Sequence, residues 1–190
     1  MGKLVVTEFV TLDGVFTDPG GSEQTERGGW AFAFERGAEG DRFKLAELQA
    51  ADAQLLGRRT YEGFAAAWPA MEETTGEFGR KMNAMPKYVV SSTLEEPAWR
   101  NTTVLRGPLA AEVVALKAQY PGDVLVAGSG QLVRGLLAEG LVDELRLMVF
   151  PVVLGAGERL FPDGGPRLPF DVVETAAHGQ VVTLTLRSRG

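Results

Sequence analysis

The sequence predicts an α/β fold, a mainly parallel central sheet flanked by helices and closed by an antiparallel carboxyl-terminal hairpin. Three observations carry this. Short apolar runs alternate with stretches of helical spacing from Leu4 to Ala138, the pattern of strand–helix–strand units. Two of those runs pass through a glycine directly into a helix, at Gly57 and at Gly128. The last third changes character: two strand-like runs, Phe170 to Thr175 and Val181 to Arg187, flank the turn Ala177-His178-Gly179-Gln180.

Taken in order, Leu4 to Val10 is a β-branched strand that ends at the turn Leu12-Asp13-Gly14. Phe16 to Gly40 is a long irregular segment of Gly, Ser, Thr and charge in which Trp30, Phe32 and Phe34 recur. Loops of this length are functional or disordered, and the aromatics argue against disorder. The Trp30 loop either covers a pocket or packs on the core or a second subunit. Asp41 to Ala50 reads as an amphipathic helix and Ala53 to Leu56 as a buried strand. Gly57-Arg58-Arg59-Thr60 opens a helix that Pro69 is expected to stop. A helix over Thr75 to Met85, a strand over Lys87 to Ser91, a strand over Thr102 to Leu105 and a helix over Leu109 to Gln119 follow. Asp123 to Ala127 is a strand, Gln131 to Ala138 a helix, and Glu144 to Val153 one long apolar strand.

Composition narrows the function. At 190 residues, with 45% hydrophobic and 23% charged residues, the chain suits one domain over 1–190 with a full core. No apolar run is long enough for a bilayer, and the amino terminus has no signal-peptide cleavage pattern, so a cytoplasmic location is expected. Without cysteine there is no disulfide, thiolate catalysis or Cys-ligated metal, and the single histidine, His178, reads as a surface turn residue; no metal is expected. A net charge of −6 without a basic cluster disfavours nucleic acid. An anionic ligand must therefore be held by backbone amides and a few arginines, of which Arg58, Arg59 and Arg106 stand out.

Val124-Leu125-Val126-Ala127-Gly128-Ser129-Gly130-Gln131 delivers a glycine turn into a helix start, where free N–H groups and the helix dipole favour an anion. Glycine there serves equally well as a plain turn. Arg58 and Arg59 at the other helix start are unfavourably placed against the dipole, by about 0.3–1 kcal/mol, unless an anion offsets them.

These segments resemble a known family. Leu56-Gly57-Arg58-Arg59-Thr60-Tyr61-Glu62, Tyr88-Val89-Val90-Ser91-Ser92 and Val126-Ala127-Gly128-Ser129-Gly130 stand in the order of the cofactor segments of dihydrofolate reductases. Thr11-Leu12-Asp13-Gly14, Val142-Asp143-Glu144-Leu145-Arg146-Leu147 and Pro151-Val152-Val153-Leu154-Gly155 are more similar to the reductase domain of bifunctional riboflavin-pathway deaminase-reductases. The resemblance implies a dihydrofolate reductase-like fold, an NADPH cofactor and a homodimer. It implies that Gly57, Arg58, Arg59 and Thr60 meet the cofactor's phosphates and that Ser91 and Ser92 flank the adenosine 2′-phosphate. Gly128, Ser129 and Gly130 would let the backbone approach the pyrophosphate, with Gln131 and Leu132 continuing along the cofactor.

The chain also departs from the family. Gln131 stands where many members carry an arginine, no carboxylate aligns with the acid that anchors a pterin, and Arg27, Arg36 and Arg42 fall in no ribose-phosphate motif. The zinc-binding deaminase cysteines are missing as well. The expectation is an NADPH-dependent reductase, acting by hydride transfer on a small heteroaromatic, pterin- or aminouracil-like substrate. The alternative is a dimeric module of the same fold that binds a nucleotide or pterin without turnover. Asp13 is the candidate for substrate contact and proton delivery, although Asp-Gly is also a common turn pair. Trp30, Phe150 and Pro151 are the other candidate substrate residues, with core packing as the alternative for Phe150 and Pro151.

Overall fold

The computed structural model describes residues 1–189. The elements are β1 (Leu4–Thr11), a 3-10 turn (Trp30–Ala33), α1 (Gly37–Ala50), β2 (Ala51–Gly57), α2 (Arg58–Met71), α3 (Glu77–Ala84), β3 (Lys87–Val90), β4 (Thr102–Leu105), α4 (Leu109–Gln119), β5 (Asp123–Val126), α5 (Gly130–Ala138), β6 (Glu144–Phe150), β7 (Phe170–His178) and β8 (Val181–Ser188). All eight strands form one sheet in the order β4-β3-β2-β5-β1-β6-β8-β7. Pairings are parallel from β4 across to β6, and β8 and β7 add two antiparallel ladders at that edge. The expected α/β architecture with a carboxyl-terminal hairpin is what forms.

Alternation along β1 sends Leu4, Val6 and Val10 to one face, where they pack with Val113, Leu116, Leu132 and Leu136 of α4 and α5. Val5 faces the other way and meets Leu48, Leu56, Tyr61 and Met82 beside α1, α2 and α3. Beyond the sheet register lies the feature that makes the site. β5 has four residues, whereas its neighbours β1 and β2 have eight and seven. Its ladder to β1 ends at Val6↔Val126 and that to β2 at Leu55↔Val126. Past Val126 the two long strands run on without a strand between them, and a cleft opens at the carboxyl ends, where open α/β sheets bind ligands.

Several element limits differ from the sequence expectation. Pro69 lies inside α2, which continues only two residues further, to Met71, so the helical hydrogen bond it forfeits falls in the last turn. Helix α1 begins at Gly37 rather than Asp41; its first turn carries no apolar periodicity that could reveal it. Strand β6 ends at Phe150, since Pro151 has no N–H for the ladder, and Val153 is exposed. His178 is the last residue of β7 rather than a turn residue. Its Nε2 lies 3.0 Å from Thr183 Oγ1 and its ring stands 5.8 Å from that of Phe43. The hairpin tip docks on the long loop, with Gln180 N donating to Glu35 O and Glu35 N donating to Gln180 Oε1, both at 2.8 Å. No helix among the described residues is long and apolar enough to cross a membrane.

Candidate functional site

A cavity of about 1770 Å³ occupies the gap beyond β5. Gly57, Arg58, Arg59, Thr60, Ser91, Ser92, Gly128, Ser129, Gly130, Gln131 and Leu132 all line it, so the two strand–glycine–helix junctions and the Ser-Ser segment share one wall. The junctions touch through their backbones: Gly57 N donates to Gly128 O at 3.0 Å. A Cβ on Gly57 would overlap Ser129 Oγ and lie 2.8 Å from Ser129 N. Gly128, at φ +98°, is in a conformation that L residues avoid, and a Cβ there would lie 2.6 Å from Thr60 Oγ1. Helices α2 and α5 start side by side without side-chain caps, which leaves their first N–H groups for a ligand.

The cations of this wall are held in two ways. Arg58 Nε donates to Glu62 Oε1 at 2.7 Å and its Nη1 donates to Thr93 Oγ1. Arg59 and Arg134 share Glu158, at 3.7 and 3.2 Å, across the mouth of the groove. Arg106 donates to the carbonyls of Ser91 (3.1 Å) and Leu94 (2.6 Å), which sets a guanidinium beside the Ser-Ser segment. Phe16 is brought from the long loop onto Gly130, leaving no room for a Cβ there, and the Arg134 guanidinium lies 5.9 Å from its ring centroid.

The substrate candidates fare differently. Asp13, Trp30, Phe150 and Pro151 are not among the residues lining the cavity. Asp13 is a structural tie: Thr11 Oγ1 donates to its Oδ1 (2.5 Å), as does Leu154 N (3.3 Å), and Gly155 N donates to its Oδ2 (2.8 Å). The Thr11 bond first, then those from the backbone, hold its carboxyl down at about 2, so it carries no proton to give near neutrality. Trp30 and Phe150 are core, with rings edge to face at 5.2 Å, and the Trp30 indole N–H donates to Thr17 O at 2.9 Å. The long loop both packs and covers: it is tied around Asp18, whose carboxylate accepts from Glu23 N, Thr25 N and Thr25 Oγ1, each at 3.0 Å, and its residues 16–20, Ser22, Glu23, Ala31 and Phe32 line the cavity.

Glu8, Lys44 and Glu47, which the sequence does not single out, line the cavity instead. Glu8 lies on the core-facing side of β1, lines the cavity close to Gly128, and its buried Oε1 has no hydrogen-bond partner. Burial pushes its carboxyl up to about 8, against the pull of Lys44, so it is mostly protonated at neutral pH. On the other face, Lys44 of α1 donates to Thr7 Oγ1 at 2.6 Å and pairs with Glu47 at 2.5 Å. Glu47 is buried, which places a carboxylate of the first helix on the cavity wall after all. The signal was present in Leu4-Val5-Val6-Thr7-Glu8-Phe9-Val10: one acid on the apolar face of an otherwise β-branched strand.

Comparison with known proteins agrees with this geometry. The family model described as the RibD C-terminal domain matches residues 2–184. The chain is 32% identical over 130 residues to the uncharacterized protein YyaP of Bacillus subtilis strain 168, covering 67% of this chain and 69% of that one. Its backbone matches that of a candidate riboflavin biosynthesis protein from Shewanella sp. PV-4 at 21% identity with a TM-score of 0.76, over 99% of both chains. It matches Enterococcus faecalis dihydrofolate reductase, solved with NADP(H), at 15% identity with a TM-score of 0.58, covering 99% and 97% of the two chains. The fold is dihydrofolate reductase-like.

Proposed function

The chain belongs to the RibD C-terminal domain family, a reductase family, and on that premise we propose that it is an NADPH-dependent reductase of a small heteroaromatic substrate. The observation that supports this most is the shared wall. Two uncapped helix starts and a serine segment flanked by Arg58 and Arg106 converge on one cavity, and glycines keep its backbone accessible. The α2 and α5 amides with Arg59 would hold the pyrophosphate, and Ser91, Ser92, Arg58 and Arg106 the 2′-phosphate, which arginine's planar fork suits. When bound, NADPH supplies the hydride, leaving one proton to be delivered if the reduced bond is to gain both hydrogens. In this reading Glu8 holds that proton at Oε1, while Thr7 and Lys44 orient the acceptor from the opposite side.

Titration with NADPH is expected to quench tryptophan fluorescence through Trp68, which lines the cavity; Trp30 and Trp99 are buried elsewhere. Arg58→Glu should weaken NADPH at least tenfold more than NADH, the equivalent of about 1.4 kcal/mol at the 2′-phosphate. Equal losses would remove Arg58 from that role, and no saturable binding of NADPH at millimolar concentration would sink the proposal. NADPH binding without oxidation across pterins, aminouracils, quinones and ketones would favour a binding module instead.

A homodimer is part of the same proposal. Strand β7 is an edge strand, and Val172, Val173 and Val182 on the hairpin are exposed, an apolar surface that a second copy would cover. Light scattering at micromolar concentration should give twice the chain mass; a monomer there would contradict it.

A further inference from the structure

The side of the cavity away from Gly128 has a different chemistry. Phe64 and Trp68 of α2 and Phe78 of α3 wall it, with ring centroids 6.2 Å apart for Phe64–Trp68 and 5.3 Å for Trp68–Phe78. The wall is fixed in place: Asn83, itself buried, donates to Trp68 O at 2.9 Å and accepts from the Trp99 indole at 2.7 Å. Gln54 of β2 forms part of the floor. It is 2% exposed, its Nε2 meets Met82 Sδ at 2.8 Å, and its Oε1 is buried without a hydrogen-bond partner. An orphaned amide oxygen beneath an aromatic wall is complementary to a flat ligand that carries one N–H or O–H.

Charge on this side is already balanced. Lys44 is closed by Glu47 at 2.5 Å, Arg36 by Asp41 at 2.6 Å and Arg42 by Glu39 at 3.4 Å. Arg58 and Arg59 on the cofactor wall are paired as well. That wall, however, adds the amides of α2 and α5 and Arg106, which donates to main-chain carbonyls and has no ion pair among the described residues, so a phosphate is better held there than on this side. The two halves of the cavity therefore sort their ligands by charge.

Resting on the hydride-transfer reading of this cleft, we infer that the acceptor is an uncharged aromatic compound bearing one N–H or O–H donor, and that this side of the cavity prefers it to a sugar phosphate. Gln54 is the residue that selects for the donor, and the Phe64–Trp68–Phe78 wall selects for the ring.

The test is fluorescence titration of Trp68 with 6-hydroxy-2-naphthaldehyde, 2-naphthaldehyde and ribose 5-phosphate, with and without NADP⁺. The hydroxylated aldehyde should quench saturably and bind at least tenfold more tightly than ribose 5-phosphate. Gln54→Leu should abolish its advantage over 2-naphthaldehyde. Met71→Asp, at a cavity-lining position already 38% exposed and so tolerant of a charge, should weaken both aldehydes at least tenfold. Tighter binding of ribose 5-phosphate, or no saturable binding of either aldehyde, overturns the inference. If the aldehydes bind and NADPH does not, the chamber stands and the hydride-transfer reading falls; if NADPH binds and the aldehydes do not, the reverse holds.

Discussion

Replacing Glu8 by Gln is expected to lower turnover of any acceptor by about 10²–10⁴-fold, the usual contribution of a positioned proton donor. The change keeps the side chain's size and leaves the cofactor wall intact, so the Kd for NADPH should move by no more than a few-fold. The parent's rate should be flat below pH 8 and fall tenfold per unit above it, because burial holds the Glu8 carboxyl protonated up to about that value. In the Gln variant that limb should vanish. Stability gives an independent reading. Between about 4.5 and 8 the folded state retains a proton that the unfolded chain has released, so the parent should lose stability as pH rises through that window and change little above it on this account. Melting curves of the ligand-free proteins should therefore show the Gln variant gaining on the parent from pH 5 to pH 9. A variant with unchanged rate and unchanged pH profile would remove Glu8 from the mechanism.

Gly57→Ala should act through the other half of the cleft. Its φ of −77° is ordinary, so the effect is one of space: the added methyl overlaps Ser129 Oγ and crowds Ser129 N. Overpacking of this kind destabilises by about 1–3 kcal/mol. More consequential is that the starts of α2 and α5 must separate, which moves two sets of N–H donors off a shared ligand. NADPH affinity should fall at least 100-fold, measured by fluorescence titration, while the melting temperature drops by only several degrees. Adding Ser129→Gly removes the Oγ clash and should recover part of the stability. Parent-like affinity in Gly57→Ala would show that the close approach does not shape the groove.

The fold was legible because local signals agreed with one another. Val-rich runs, glycine junctions and the terminal hairpin each point to an α/β sheet, and the glycine and arginine positions expected to meet a cofactor converge on one cavity in space. Asp13 is ambiguous in sequence because an acid after a strand looks alike whether it faces a ligand or ties down a loop; its partners, Leu154 and Gly155, are remote in sequence. Trp30 and Phe150 were ambiguous for the same reason: an aromatic can serve a pocket or a core, and only tertiary contact decides. Glu8, Lys44 and Glu47 were hidden differently. Each looks like an ordinary charge on a strand or helix until the short β5 exposes the place where they meet.

That short strand separates two kinds of selection on this chain. The sheet's ladders and the α4–α5 core are satisfied without the helix faces that turn Phe64, Trp68 and Phe78 toward the cavity. Substitutions on those faces are free to change what is accepted as long as they keep the apolar contacts that Phe64, Trp68 and Phe78 make with one another and with the α1–α3 core. The glycine junctions have no such freedom, since each supports backbone approach as well as binding. Relatives of this protein should therefore diverge fastest along the α1–α3 wall and slowest at Gly57 and Gly128. A scaffold built in this way can change what one wall of its cleft accepts while the other wall stays as it is.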